Sequence, residues 1–160
     1  MEKLRDLYYQ TDDRITLFMR GKGILFLRIS LGIVFFWFGF LKFFPGLSPA
    51  DQIATETISK LTFGVILPDI SIIILAVWET LIGIGLLSGK FLRVTLLLLF
   101  TQMIGTMSPL VLFPTETFTR FPFAPTLEGQ YIIKNLVLIS AGLVVGATVR
   151  GGRIIEGTES

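Results

Sequence analysis

The chain has 160 residues, of which 52% are hydrophobic and only 16% charged; a soluble fold of this length could not bury that much apolar surface, so lipid must be the solvent for much of it. A net charge of +2 is too small to point to nucleic acid as a partner. There is no cysteine and no histidine, which excludes disulfide relays, Fe–S clusters and thiol nucleophiles within the chain, removes the usual haem ligand and proton shuttle, and leaves no expected metal site.

In chain order, the first twenty or so residues are charged, too long and too acidic a stretch for the leader of a signal peptide, so the first span is expected to stay in the mature protein. Within that stretch Leu4, Leu7, Tyr8, Ile15 and Phe18 predict an amphipathic helix over about residues 3–18, lying on the inner membrane face. Crossing a hydrocarbon core about 30 Å thick takes about 20 apolar residues. Four runs qualify, at about residues 23–44, 70–87, 91–113 and 131–149. Only Ser88, Gly89 and Lys90 join the second run to the third, which forces an antiparallel hairpin.

Two longer loops separate the other spans. In the first, Ser48-Pro49-Ala50-Asp51 reads as a helix start, and Ile53, Ala54, Ile58 and Leu61 follow at helical spacing, predicting a short amphipathic helix over about residues 49–60. The second carries Pro114, Pro122 and Pro125 among Phe118, Phe121 and Phe123, an ordered turn at the depth aromatic residues favour. Lysine and arginine concentrate in the N-terminal segment, at Lys90 and Arg93, and at Arg150 and Arg153, whereas the two loops hold only Lys60 and Arg120. The positive-inside rule then puts both termini in the cytoplasm. The expected fold is a single all-α domain, an integral four-helix bundle of the cytoplasmic (inner) membrane, with both termini inside and short interfacial amphipathic helices.

Ionisable residues within the spans are costly, by about 2.5 to 3.5 kcal/mol at a helix centre, and are candidates for function. Glu79 lies roughly 12 Å and Gln102 about 15 Å from the inner side, so the hairpin sets them in one polar layer. Arg28, about 8 Å deep, has a side chain long enough to reach either the headgroups or Glu79. Glu79, Gln102 and Arg28 therefore form the candidate ligand-binding or buried polar cluster, with aromatic walls from Phe35 and Trp37 or Trp78; a Glu79–Arg28 pair that merely fixes helix register is the structural alternative. Lys42, Lys134 and Asn135, near the outer surface, are candidate contacts for an anion or ligand there, or snorkelling side chains. Gly32, Gly39, Gly83, Gly142 and Gly146 at helical spacing mark close helix packing.

The segments LRISLGIVFFWFGFLKFF, WETLIGIGLLSGKFLR and EGQYIIKNLVLISAGLVVGATVRGG resemble the DoxX family of small four-span membrane proteins, over about residues 24–152. On that resemblance the family's arginine falls on Arg28, its glycine and lysine on Gly39 and Lys42, its second-span glutamate on Glu79 and its basic residue after the turn on Arg93. The family is named for a subunit of thiosulfate:quinone oxidoreductase, and other members are linked to redox protection or membrane-protein assembly. The resemblance implies a redox-associated accessory subunit with a noncovalent quinone or lipid between its helices, and no covalent cofactor. A scaffold or assembly factor docking another membrane protein, or a second copy of itself, is the alternative; a small transporter is disfavoured by the lack of an inverted repeat. Without cysteine or histidine, a self-sufficient enzyme is not expected.

Overall fold

The structure, a computed structural model, describes residues 2–48 and 51–152. Its elements are α1 (Glu2–Leu41), α2 (Asp51–Leu61), α3 (Pro68–Ser88), α4 (Leu92–Met107), α5 (Pro109–Leu112), α6 (Pro114–Thr117), β1 (Phe118–Arg120), β2 (Ala124–Pro125) and α7 (Leu127–Ala147). Four segments are long and apolar enough to cross a membrane, within 4–41, 68–88, 92–112 and 127–147. The protein is thus an all-α four-helix membrane bundle.

The helix limits follow from local chemistry. Pro68 opens α3, where its missing N–H costs nothing. Gly89 closes it in the left-handed region at φ 70°, its amide donating to the Gly85 carbonyl, and this sharp exit leads into α4 within three residues. Pro109 interrupts the third span, so α4 ends at Met107 and the one-turn α5 completes the crossing. Thr126 caps α7 by accepting from the Gly129 amide.

Two expectations change. Residues 3–18 are not a separate helix: they are the first half of α1, 40 continuous residues and about 60 Å long. No proline interrupts it, and Gly21 and Gly23 weaken a helix without ending it. The helix expected over 49–60 is present as α2, with Pro49 and Ala50 outside the described residues; the Asp51 amide donates to the Ser48 carbonyl at 3.4 Å. Rather than lying apart, α2 packs on the bundle. Thr57 is buried, and Lys60 donates to the Leu112 carbonyl at 2.8 Å with its ammonium 4.4 Å from the Phe113 ring centre. The second loop is ordered, with the short β1–β2 hairpin closed at its base by the Thr126 amide donating to the Thr117 carbonyl.

α1 and α3 make the most extensive contact, antiparallel and close. A methyl group at Gly39 would lie 2.6 Å from the Thr80 nitrogen, and one at Gly32 would lie 3.0 Å from the Leu87 nitrogen. From the other side, one at Gly83 would lie 2.5 Å from Phe36 Cα. The core of Leu31, Phe35, Ile82, Leu86, Leu99 and Val145 fills the space among α1, α3, α4 and α7. One end of the bundle carries α2 and the hairpin, here the loop end. The other carries the 89–91 turn and the first half of α1, here the turn end.

Candidate functional site

The α1–α3 contact brings Lys42 to Glu79. Their Nζ and Oε2 atoms are 2.7 Å apart, with the two side chains 6% and 12% exposed. From α4, the Gln102 amide nitrogen donates to the other carboxylate oxygen, Oε1, at 2.8 Å. Glu79 and Gln102 thus share one polar layer, as their depths require. The charge opposite Glu79 is Lys42, not Arg28.

Side-chain direction explains the exchange of partner. Helical side chains lean toward the N-terminus of their own helix. Lys42, at the loop end of α1, leans back into the bundle, where Nζ also reaches the Phe38 carbonyl at 3.4 Å. Glu79 sits on the antiparallel α3 and leans toward the loop end, so the two converge. Arg28 leans the opposite way, and α1 rises about 16 Å between Arg28 and Gly39, the residue that faces Glu79. Arg28 instead donates from Nη1 to the Leu86 carbonyl at 2.9 Å and packs against Gly89. It thereby satisfies a free carbonyl at the C-terminus of α3, where positive charge is favoured.

Of the outer-side candidates, Lys42 is 8% exposed and belongs to the buried pair rather than the surface. Lys134 is exposed, its ammonium 5.1 Å from the Tyr131 ring centre, and Asn135 donates to the Tyr131 carbonyl. Neither of these two joins the Glu79 cluster. Trp37 is 62% exposed toward lipid and cannot wall a site, while Phe35 lies in the core. Trp78 bridges α3 and α4 through its indole N–H on the Leu98 carbonyl at 3.1 Å.

Three buried polar atoms lack a partner among the described residues: Gln102 Oε1, Thr80 Oγ1 and Asp51 Oδ1. Gln102 must turn its nitrogen to the Glu79 carboxylate, which fixes its oxygen as the unmatched acceptor. Thr80 adjoins Glu79 against Gly39, and Asp51 stands at the start of α2. Thr80 and Asp51 escaped the reading of the sequence because a threonine in an apolar helix ordinarily bonds its own backbone and Asp51 reads as a helix-start residue. On the lipid-facing side of α3, an apolar groove of about 280 Å³ lies between α3 and α4, lined by Ile73, Ile74, Val77, Trp78, Leu81 and Leu98; at about 100° per residue its α3 residues face away from Glu79, and no member of the cluster lines it.

These features match a known family. A family profile described as DoxX matches residues 23–115, more than half of the chain and all of α2, α3 and α4 together with the membrane part of α1. The chain belongs to the DoxX family. Arg28, Gly39, Lys42, Glu79, Gln102 and Arg93 all lie in the matched region, whereas α7 lies beyond it. No curated protein and no solved structure matches the chain.

Proposed function

We propose that this DoxX-family protein is an accessory subunit of the cytoplasmic membrane, redox-associated, that receives the polar head of a quinone-like or lipid-like molecule at the Lys42–Glu79–Gln102 cluster. The tail would have to pass the Trp78–Leu98 contact at the α3–α4 seam to reach the apolar groove on the lipid side. Gln102 carries this reading. Its Oε1 is a buried acceptor without a donor, which costs about 1 to 3 kcal/mol unless something fills it. An unmatched amide oxygen calls for a donor, so the head that fits best brings an O–H or N–H group, as the hydroxyls of a reduced quinone or of a glycerol headgroup do; the Thr80 hydroxyl, also unmatched, can donate or accept. Lys42 and Glu79 supply opposite charges of fixed position to orient it. The groove is apolar and open to the lipid side, suiting a chain that arrives from the bilayer.

A scaffold that docks other membrane helices would present free glycine-lined faces to them. Gly32, Gly39 and Gly83 are spent inside the chain on the α1–α3 contact, and Gly142 and Gly146 face Leu99, Phe100 and Leu96 of α4. That removes its principal support.

The test uses a Trp37→Phe protein, which leaves Trp78 as the single tryptophan, in lipid nanodiscs titrated with a short-chain quinol. Saturable quenching of Trp78 that is lost in Glu79→Gln and Gln102→Leu is expected. Quenching that rises without saturation and equally in all three proteins would exclude a site at the cluster. A stoichiometric membrane-protein partner that protects Trp78 while the quinol does not saturate would favour the scaffold.

A further inference from the structure

The first half of α1 leaves an apolar face uncovered. Leu4, Leu7, Tyr8, Ile15 and Phe18 are each more than half exposed, and at about 100° per residue they fall within an arc of about 100°. Asp6, Asp13 and Arg20 occupy the opposite side. Carried forward along the helix, the same arc runs into Phe26, Ile33, Phe36 and Phe40, which are exposed to lipid. The residues that meet α3, among them Arg28, Gly32 and Gly39, centre about 90° away from it, and Phe36 near the edge of the arc borders Gly83 of α3. The uncovered face is therefore a continuation of the lipid-facing side of α1.

At the junction stand Gly21 and Gly23, flanking Lys22 and following Arg20. Nothing lies within 4 Å of where a methyl group would stand at either glycine. Packing does not require glycine there, and two glycines in three residues make this the weakest point of α1. A bend toward the lipid-facing side would turn that side upward against the bilayer. The apolar arc would then meet the acyl boundary, Arg20 and Lys22 would stay at headgroup level, and Asp6 and Asp13 would face water.

We propose that residues 4–20 dock on the bilayer surface through the Leu4–Phe18 face, with α1 bending at Gly21–Gly23. The bilayer is the occupant because the apolar arc continues a surface that lipid already covers, and because a bend in that one direction suffices to apply it.

The chain has no cysteine, so spin-labelled single-cysteine variants Leu7→Cys, Phe18→Cys and Asp13→Cys of the full-length protein can be compared in nanodiscs of phosphatidylcholine and phosphatidylglycerol. Relaxation by oxygen relative to a water-soluble nickel complex is expected to be several-fold higher at positions 7 and 18 than at 13. Equal ratios at all three would overturn docking. So would strong dipolar broadening between Leu7→Cys labels when two copies share a disc, the sign of helix pairing instead. In a Gly21→Ala/Gly23→Ala background, which meets no steric obstacle, the ratio at position 7 is expected to fall toward that at 13; an unchanged ratio would overturn the bend.

Discussion

Lys42 and Gln102 both hold the Glu79 carboxylate, so removing one member costs more than its bond. Lys42 and Glu79 are both nearly buried, and a single change strands the remaining charge. Lys42→Ala or Glu79→Ala alone is expected to destabilise by about 3 to 5 kcal/mol, whereas Lys42→Met combined with Glu79→Leu should recover most of that loss. Reversible unfolding in nanodiscs measures both, and a double variant no better than the singles would mean the pair is a net stabiliser. Arg28 gives a contrasting case. Arg28→Ala leaves the Leu86 carbonyl without its donor, for an expected cost of about 1 to 2 kcal/mol. It should show no coupling to Glu79 in a double-mutant cycle, because the two side chains lean apart. Coupling above about 1 kcal/mol would contradict the partner assignment.

At the scale of elements, α1 and α3 approach closely enough that Gly32, Gly39 and Gly83, at their contact, leave no room for a larger residue. An added methyl at Gly83 meets Phe36 Cα at 2.5 Å, and one at Gly39 meets the Thr80 backbone. Backbone cannot swing aside as a flexible side chain can, so Gly83→Ala or Gly39→Ala is expected to cost about 1 to 3 kcal/mol by overpacking. Gly39→Ala should also separate Lys42 from Glu79. Gly105→Ala, with nothing within 4 Å, is expected to be neutral or slightly stabilising. Thermal unfolding of the three variants in one lipid mixture tests the ordering, and equal melting temperatures would refute it. The glycine spacing was legible as close packing without the structure. Its partners were not, since a helical stripe names a face but not the helix opposite.

For the whole molecule, the four spans could be read directly because each is an apolar run of membrane length between charges or prolines, and α2 because its spacing is helical. Depth likewise put Glu79 beside Gln102. Depth alone failed for Arg28 and Lys42, where the direction of the side chain along its helix decided the partner. It also failed for Thr80, whose place beside Gly39 and Glu79 depends on how α1 meets α3. Residues 3–18 carry an interfacial pattern but nothing that ends a helix before residue 23, which explains their continuity with α1.

Orientation in the membrane is the remaining property of the whole molecule, and it follows from charge at the two ends. Arg14, Arg20, Lys22, Lys90, Arg93 and Arg150 gather at the turn end, against Lys60 and Arg120 at the loop end. Of those two, Lys60 is tied to the Leu112 carbonyl and the Phe113 ring. Basic residues close to span ends resist transfer across the membrane, so the turn end is expected to stay cytoplasmic. Phe123, 89% exposed in the hairpin, and Lys90, exposed in the turn, are sites where a cysteine should not disturb packing. In intact cells a membrane-impermeant maleimide is expected to label Phe123→Cys directly and Lys90→Cys only after permeabilisation. The reverse pattern would invert the molecule in the membrane. Labelling of both sites in intact cells would instead break the antiparallel span order itself, since the loop and turn ends must lie on opposite sides of a four-span bundle.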